Sequence, residues 1–481
     1  MQATKKLTIF VLTMLLMGCS YFFPEYEKPK TNMPENWNSN NSQVTENTVD
    51  LPYLAWWQKF DDPELDSLIQ AALTENNSIK LALSNIESAE KKLSAVKLGW
   101  LPFVSLFGGY LNGQNDTTIA NIGGVGAIAA TGGFLAILPS YTINLFRTYA
   151  RQKQAGFELE VAKANQLNVR LAITSQVVMA YFSYLAQVEA IKTMTQLDKD
   201  YSELLEITRN MDKQGLATQI SVSDILSQQR MVAGQLAIAK SNLISSQNAI
   251  KALLGKAPGS VDYKSKFKNI NPNQVVPGNL PVNVIASRPD IIQAEAQLKA
   301  SNAGIKVASS SLLPTVSLNY FYARSKSSVD SITNENISGK QSTFSAFADW
   351  TVSPEMIGNV GVANSYYSAA VIQYQEIVNS ALHDVDNALA DNEGVKNKMD
   401  IDLEAYQAQL TSTSLKEALY QQGLISYEMI IGSEIELLTM QLDLTSTKLE
   451  QLATLVKLYG ALGGGYLYGT PKDKDKVEEK S

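Results

Sequence analysis

The sequence predicts a mostly α-helical chain with a small β part, made of two copies of the order helix–strand–strand–long helix–helix. Three observations carry this. Phe146 to Lys213 holds no proline and one glycine (Gly156), and about Val362 to Gln422 is interrupted only by Gly394, so each reads as one very long helix. Segments of about ten residues that alternate apolar and polar side chains lie between the helices. Leu101–Leu106 reads LPFVSL, and far downstream Leu313–Leu318 reads LPTVSL.

Taken in chain order, residues 1–18 read as a lipoprotein signal peptide. Lys5 and Lys6 precede the apolar run Leu7–Met17, and Gly18 stands before Cys19. The run is too short to span a bilayer comfortably. Leu16–Cys19, LMGC, resembles a lipobox, which would leave Cys19 as the lipid-carrying N-terminus. Each buried methylene of such a lipid contributes about 0.8 kcal/mol. One Cys and one His exclude a disulfide framework and a Cys/His metal site. His383, in LHDVD within a long helical stretch, reads as an ordinary helix residue. With no nucleophile motif and no metal-ligand set, the expectation is neither an enzyme nor a cofactor-binding protein. Loss of residues 1–18 removes two lysines from 40 basic residues, leaving 38 against 47 acidic ones, a net charge of −9. No basic patch with interleaved aromatics appears, so no nucleic-acid partner is expected.

Residues 19–55 read as an extended leader without a core of its own, rich in proline and asparagine. The first repeat is placed at 56–260. Asp62 can cap a helix with Pro63 at its first position, continuing to about Leu98 until Pro102 breaks it. Strands follow at about 103–113 and 134–145, around the Gly-rich Ile122–Gly133, which lacks a phosphate loop's Lys-Ser/Thr and reads as a loop or weak strand. The long helix turns at Gly215–Leu216, and a second helix runs from about Gln219 to Leu254. A connector at 261–282 leads to the second repeat, 283–466. There a helix runs from Pro289 to about Ser311, with strands at about 315–325 and 343–352. The second long helix turns at Gly423–Leu424 and a return helix follows. Residues 467–481 read as a charged, disordered tail.

The lengths match. Expected long helices of 68 and 61 residues face short pairs of about 37 with 36 and about 23 with 34, as if two short helices stacked end to end equalled one long one, near 100 Å at about 1.5 Å per residue. After the signal peptide no apolar run of about 20 residues is read, so no spanning helix is expected. If the strands meet lipid, they must close into a barrel, because open edges leave backbone groups unpaired. Four strands cannot enclose one, so several chains must contribute. Tyr110, Tyr320, Tyr322 and Trp350 suit aromatic girdles.

Three motifs then resemble the outer membrane factor family (the TolC/OprM type), in its lipid-anchored efflux-channel branch. They are WWQKFDDPELDSLI (Trp56–Ile69), SRPDIIQAEAQLKASNAGI (Ser287–Ile305) and LYGALGGGY (Leu458–Tyr466), with Gly460 where Lys is common and Tyr466 where Trp is. The resemblance implies a homotrimer with a 12-stranded outer-membrane β-barrel on a long periplasmic α-helical barrel. It implies an exit duct docked on a periplasmic adaptor protein and an inner-membrane efflux pump, carrying drugs or other toxic small molecules; the channel of a type I protein secretion system is the alternative. The turns at Gly215, Leu216, Gly423 and Leu424 would form the periplasmic tip that meets the adaptor. Acidic residues just after the turns line the family's constriction. Nine residues beyond Gly215 is Asp224, whereas nine beyond Gly423 is Gly432, with Glu428 one helical turn earlier. Asp224 and Glu428 are therefore expected at the narrowing, with Glu434 a further candidate. Leu419 stands where the family often has Arg, so its usual closing bridge is not expected. Pro102 and Pro314 would be the helix-to-barrel corners, at equal height.

Overall fold

A computed structural model describes residues 25–31, 33, 34, 37, 51–111, 119–121, 127–129, 132–274, 282–328 and 336–470. Its helices are α1 (Pro63–Glu75), α2 (Asn77–Leu98), α3 (Leu145–Lys213), α4 (Gln219–Leu253), α5 (Pro289–Ser310), α6 (Pro354–Gln421) and α7 (Tyr427–Leu462). Its strands are β1 (Phe103–Leu111), β2 (Ile119–Asn121), β3 (Ala127–Ala129), β4 (Gly132–Ile143), β5 (Thr315–Ser328) and β6 (Asn336–Asp349). Cys19 lies outside the described residues, as does the Gly-rich Ile122–Gly133 stretch apart from β3 and the first residues of β4.

The repeat order is the expected one. α3 has 69 residues and α6 has 68, a closer match than the sequence reading gave. α6 starts eight residues before Val362 because Pro354 takes its first position, Ser353 Oγ accepts the Met356 N–H at 3.3 Å and Glu355 sits in the first turn. The single helix expected to continue from Asp62 to Leu98 is instead two. Asn76 adopts an extended backbone (ψ 129°), and its side-chain oxygen accepts the N–H groups of Ser78 and Ile79 at 2.8 and 3.3 Å, capping a new helix. β6 covers 336–349 rather than 343–352, so Trp350 and Val352 fall beyond it.

The chain divides into two compact units. The first combines the leader to Lys30 with 86–162 and 293–375. It holds the four-stranded antiparallel sheet, ordered β1-β4-β5-β6, in which each repeat's hairpin lies beside the other through the β4–β5 ladder. Side-chain contacts tie its helical segments together. Lys92 pairs with Glu158 at 2.6 Å between α2 and α3, and Asn144 Nδ2, at the head of α3, donates to the Ser310 carbonyl at the end of α5 at 2.8 Å.

The second unit holds residues 31–85, 163–292 and 376–481. Its core packs Trp56, Trp57, Phe60, Leu65 and Ile69 on Val178, Tyr181 and Phe182 of α3 and on Leu455 and Tyr459 of α7. The rings of Trp56 and Tyr459 stack at 4.7 Å with planes 5° apart. This core corrects three expectations. The last leader residues are part of it, since Leu51 is buried and its carbonyl accepts the Gly465 N–H. Leu467 and Tyr468 are packed too, through Leu467 N–H to the Pro52 carbonyl and the Tyr468 ring on Trp57, so the tail does not begin at 467. Finally, α3 is long and apolar enough in composition to cross a membrane, contrary to the reading that no such helix exists. Its apolar stretch is the one that buries Val177, Tyr181, Phe182 and Leu185 in this core, which accounts for the composition.

The end-to-end stacking of short helices has a side-chain cause. Asn76 Nδ2 donates to the Leu253 carbonyl at 2.8 Å, joining the head of α2 to the end of α4. Arg288, at the equivalent place in the second repeat, donates to the Ala461 carbonyl at 2.7 Å, joining the head of α5 to the end of α7. At both joints a glycine with positive φ follows, Gly255 (64°) and Gly463 (69°).

Candidate functional site

Two regions carry the candidate residues, and both are positioned by the repeats. The first is the sheet. Along β5, side chains 316, 318, 320, 322 and 324 are exposed and 317, 319, 321 and 323 are half-buried or buried, an unbroken period of two. The register sets this group opposite apolar residues, exposed on β6 and half-buried at Tyr141 and Ile143 of β4. Val316 stands opposite Ile143 and Ala348, Leu318 opposite Tyr141 and Ala346, Tyr320 opposite Phe344, and Tyr322 opposite Ile137. On β1, Leu106 joins them opposite Ile137. The result is a continuous apolar face bounded at one end by Arg324 and Lys340, which are paired across β5 and β6. From Val316 to Tyr322 it extends about 20 Å along the strand. The other face is mixed: Ser105, Ser140, Ser317, Asn319, Thr343 and Ser345 share it with Phe103, Phe107, Leu138, Phe321 and Phe347. Tyr110, Tyr320, Tyr322 and Trp350 are all exposed. Pro102 and Pro314 each stand one residue before a strand, four residues past helices α2 and α5, which have 22 residues apiece.

The second region is the pair of helical turns. Leu216 N–H donates to Met211 O at 2.8 Å and Gly215 N–H to Asp212 O at 2.9 Å. Leu424 N–H to Leu419 O (3.0 Å) and Gly423 N–H to Tyr420 O (2.7 Å) repeat the motif. Both are Schellman turns, and both glycines need a left-handed backbone, with φ 74° and 73°. The leucine that follows each is thrust into solvent, 69% exposed at Leu216 and 66% at Leu424.

The acidic candidates separate. Asp224 stands exposed on the second turn of α4 and Glu428 half-buried in the first turn of α7. Glu434, farther along α7, meets a cluster that the sequence reading missed. Glu434 keeps part of its surface in solvent, and partial burial first, then the charges of Asp200 on α3, Glu417 on α6 and Glu203 on α3, raise its carboxyl above its ordinary value. Asp200 is raised as well, chiefly by burial. Tyr427 Oη donates to Glu203 Oε1 at 2.9 Å, and its ring lies 5.5 Å from that of Tyr420. The available signal was a Tyr-Glu pair opening α7 and an acidic i, i+3 pair ahead of the first turn; what brings them together is packing between helices from different repeats.

A raised carboxyl pKa fixes the sign of a pH effect. Such a group favours the folded state fully below its unfolded value, about 4.3 for Glu, and that contribution is lost as pH rises through the raised folded value. The packing of α7 on α3 around Glu434 should therefore tighten on acidification. Amide exchange over residues 427–436 is expected to slow as pH falls from 8 to 5, after correction for the intrinsic rate, and Glu434→Gln should flatten that dependence. An unchanged slope in the variant would refute the assignment.

Residues 68–256 and 280–464 match the family model described as outer membrane efflux protein. The probable efflux pump outer membrane protein TtgC of Pseudomonas putida is 25% identical over 480 residues, covering 96% of each chain. The cation efflux system protein CusC of Escherichia coli is 22% identical over 481 residues, covering 96% of this chain and 99% of that one. The crystal structure of the Campylobacter jejuni CmeC outer membrane channel superposes with a TM-score of 0.76 at 18% identity, covering 95% of this chain and 98% of the other.

Proposed function

Since the chain belongs to the outer membrane efflux protein family, we propose that it is the outer-membrane exit duct of a tripartite efflux system, carrying toxic small molecules from an inner-membrane pump through a periplasmic adaptor. The observation that carries this reading is the sheet, with a continuous exposed apolar face through Leu106, Val316, Leu318, Tyr320 and Tyr322 and two unpaired edge strands, β1 and β6. In lipid such edges must be closed, and pairing β6 of one copy with β1 of the next closes them in a ring. Three copies give the 12-stranded barrel, with the face that carries the serines, Thr343 and Asn319 turned to the pore. Cys19 anchors the mature chain by its lipid. The turns at Gly215–Leu216 and Gly423–Leu424 form the periplasmic tip, where the projecting leucines offer an adaptor apolar contacts that no charge could replace.

The test is reconstitution: the purified chain in a planar bilayer should conduct ions as a trimer, and a protein that inserts without conducting would end the proposal. At the tip, carboxylates favour cations over anions by charge and desolvation. Asp224→Asn combined with Glu428→Gln is expected to lower cation over anion selectivity several-fold in reversal-potential measurements, and Glu434→Gln less. If selectivity and conductance stay at the wild-type level, the constriction lies elsewhere.

A further inference from the structure

The leader identifies which side of the helical wall is outside, and so which side looks into the duct. Glu25–Lys30 lies along α5 and α6. Lys28 Nζ is 2.7 Å from Glu295 Oε2 and 6.0 Å from the centre of the Tyr374 ring. Lys299 places a second ammonium 2.9 Å from Glu295 and 5.5 Å from the centre of the Tyr26 ring. Glu295 and Lys299 are one helical turn apart, on one face of α5. Tyr26 stands seven positions after Cys19, a reach of at most about 24 Å. From Lys299 to the end of α5 at Ser310 the helix rises about 17 Å. A leader anchored in the membrane surface beside the barrel therefore reaches this face from outside without crossing the wall.

Residues two positions farther along a helix lie about 200° around its axis. Gln297 and Ser301 consequently oppose Glu295 and Lys299, and Gly304, Ala308 and Ser311 continue their stripe. That stripe is the floor of a groove of about 800 Å³, with Arg147, Gln154 and Glu158 of α3 on one side and Glu355 and Tyr366 of α6 on the other. At Gly304 the nearest atom to an added Cβ is Gln154 Nε2 at 3.9 Å, so the floor is low and the walls stand above it. The groove runs over α5, between α3 and α6 of the same chain, and not along a helix at the edge of that set.

We propose that this groove is part of the conducting wall, a lumenal contact site for polar, hydrogen-bonding solutes in transit. The proposal rests on the closed, lipid-anchored duct described above. Its amide, hydroxyl, guanidinium and carboxylate groups exchange hydrogen bonds with a hydrated solute, and its small-residue floor lets the solute approach the backbone.

Because Cys19 is the sole cysteine and acylation blocks it, an introduced cysteine is uniquely reactive. Ser301→Cys and Lys306→Cys, the latter on the Lys299 face, are compared in the full-length protein in a planar bilayer, with 2-(trimethylammonium)ethyl methanethiosulfonate as probe. Modification of Ser301→Cys should lower the conductance in discrete steps, one per subunit, while modification of Lys306→Cys, verified by mass, leaves it unchanged. The assignment is overturned if Ser301→Cys is unmodified, if its modification leaves conductance unaltered, or if Lys306→Cys shows the steps instead. Failure of the unmodified protein to conduct would be a failure of the duct reading and is seen before any probe is added.

Discussion

The Gly465→Ala variant should yield almost no heat-resistant assembly in the outer membrane, whereas Gly469→Ala should assemble normally. Both glycines have positive φ, 84° and 74°, so both substitutions carry the left-handed penalty of about 1–2 kcal/mol. They differ in what the new methyl meets. At Gly469 there is nothing within 4 Å, but at Gly465 a Cβ would lie 2.6 Å from Trp57 Cζ3 and 3.0 Å from the Leu54 carbonyl oxygen. Trp57 cannot yield, because it is 1% exposed and wedged edge-on between Trp56 and Tyr468 at 5.8 and 5.2 Å. Overpacking adds about 1–3 kcal/mol. The strain falls on a clasp joining residues 51–58 to 463–470, which Arg170 also holds by donating to the carbonyls of Tyr466 and Tyr468 at 2.9 and 2.7 Å. The thermal midpoint of the purified protein is the measurement. Equal midpoints for the two variants would show that Trp57 gives way and that the clasp is not rigid.

This clasp also marks where the sequence stops being legible. LYGALGGGY was recognisable as a motif, and its glycines announced unusual backbone. Their partners lie in the first repeat, and no local pattern connects Gly465 to Trp57 or Arg170 to the last described residues. The two long helices were readable because proline-free length is a local property, and so were the turns, since Gly215 and Gly423 need only their own left-handed backbone. The break at Asn76 was readable in principle: Asn-Asn-Ser is a capping sequence, but the apolar spacing continues through it and masked the cap. Ser353-Pro354-Glu355 was likewise a helix start, hidden behind Gly358 and Gly361. Near the helical turns, counting from the turn glycines selected Asp224 and Glu428 on α4 and α7. The carboxylates that crowd Glu434 come from α3 and α6, so only the packing shows them.

The strand alternation was local as well, and it supports the other large prediction. Leu318→Arg should prevent insertion, while Asn319→Arg, one residue on, should insert and change conductance. Leu318 lies four residues past Pro314, about 13 Å along the strand and near the middle of the apolar face once strand tilt is allowed for. It is flanked on that face by Val316 and Tyr320 and stands opposite Tyr141 and Ala346. An arginine at mid-depth on a lipid-facing strand costs about 2–4 kcal/mol. Three symmetry-related copies would incur it together, which is comparable to the whole stability of an ordinary domain, about 5–15 kcal/mol. Asn319 is half-buried on the other face, opposite Ser140 and Ser345, whose hydroxyls can accept from a guanidinium and whose side faces away from lipid, so the added charge alters the field felt by passing ions. Folding into vesicles of phosphatidylcholine and phosphatidylglycerol, followed by the heat-modifiable band, separates the two. Should Leu318→Arg insert as readily as Asn319→Arg, the exposed apolar face of the sheet is not the face that meets lipid, and the opposite face must take its place.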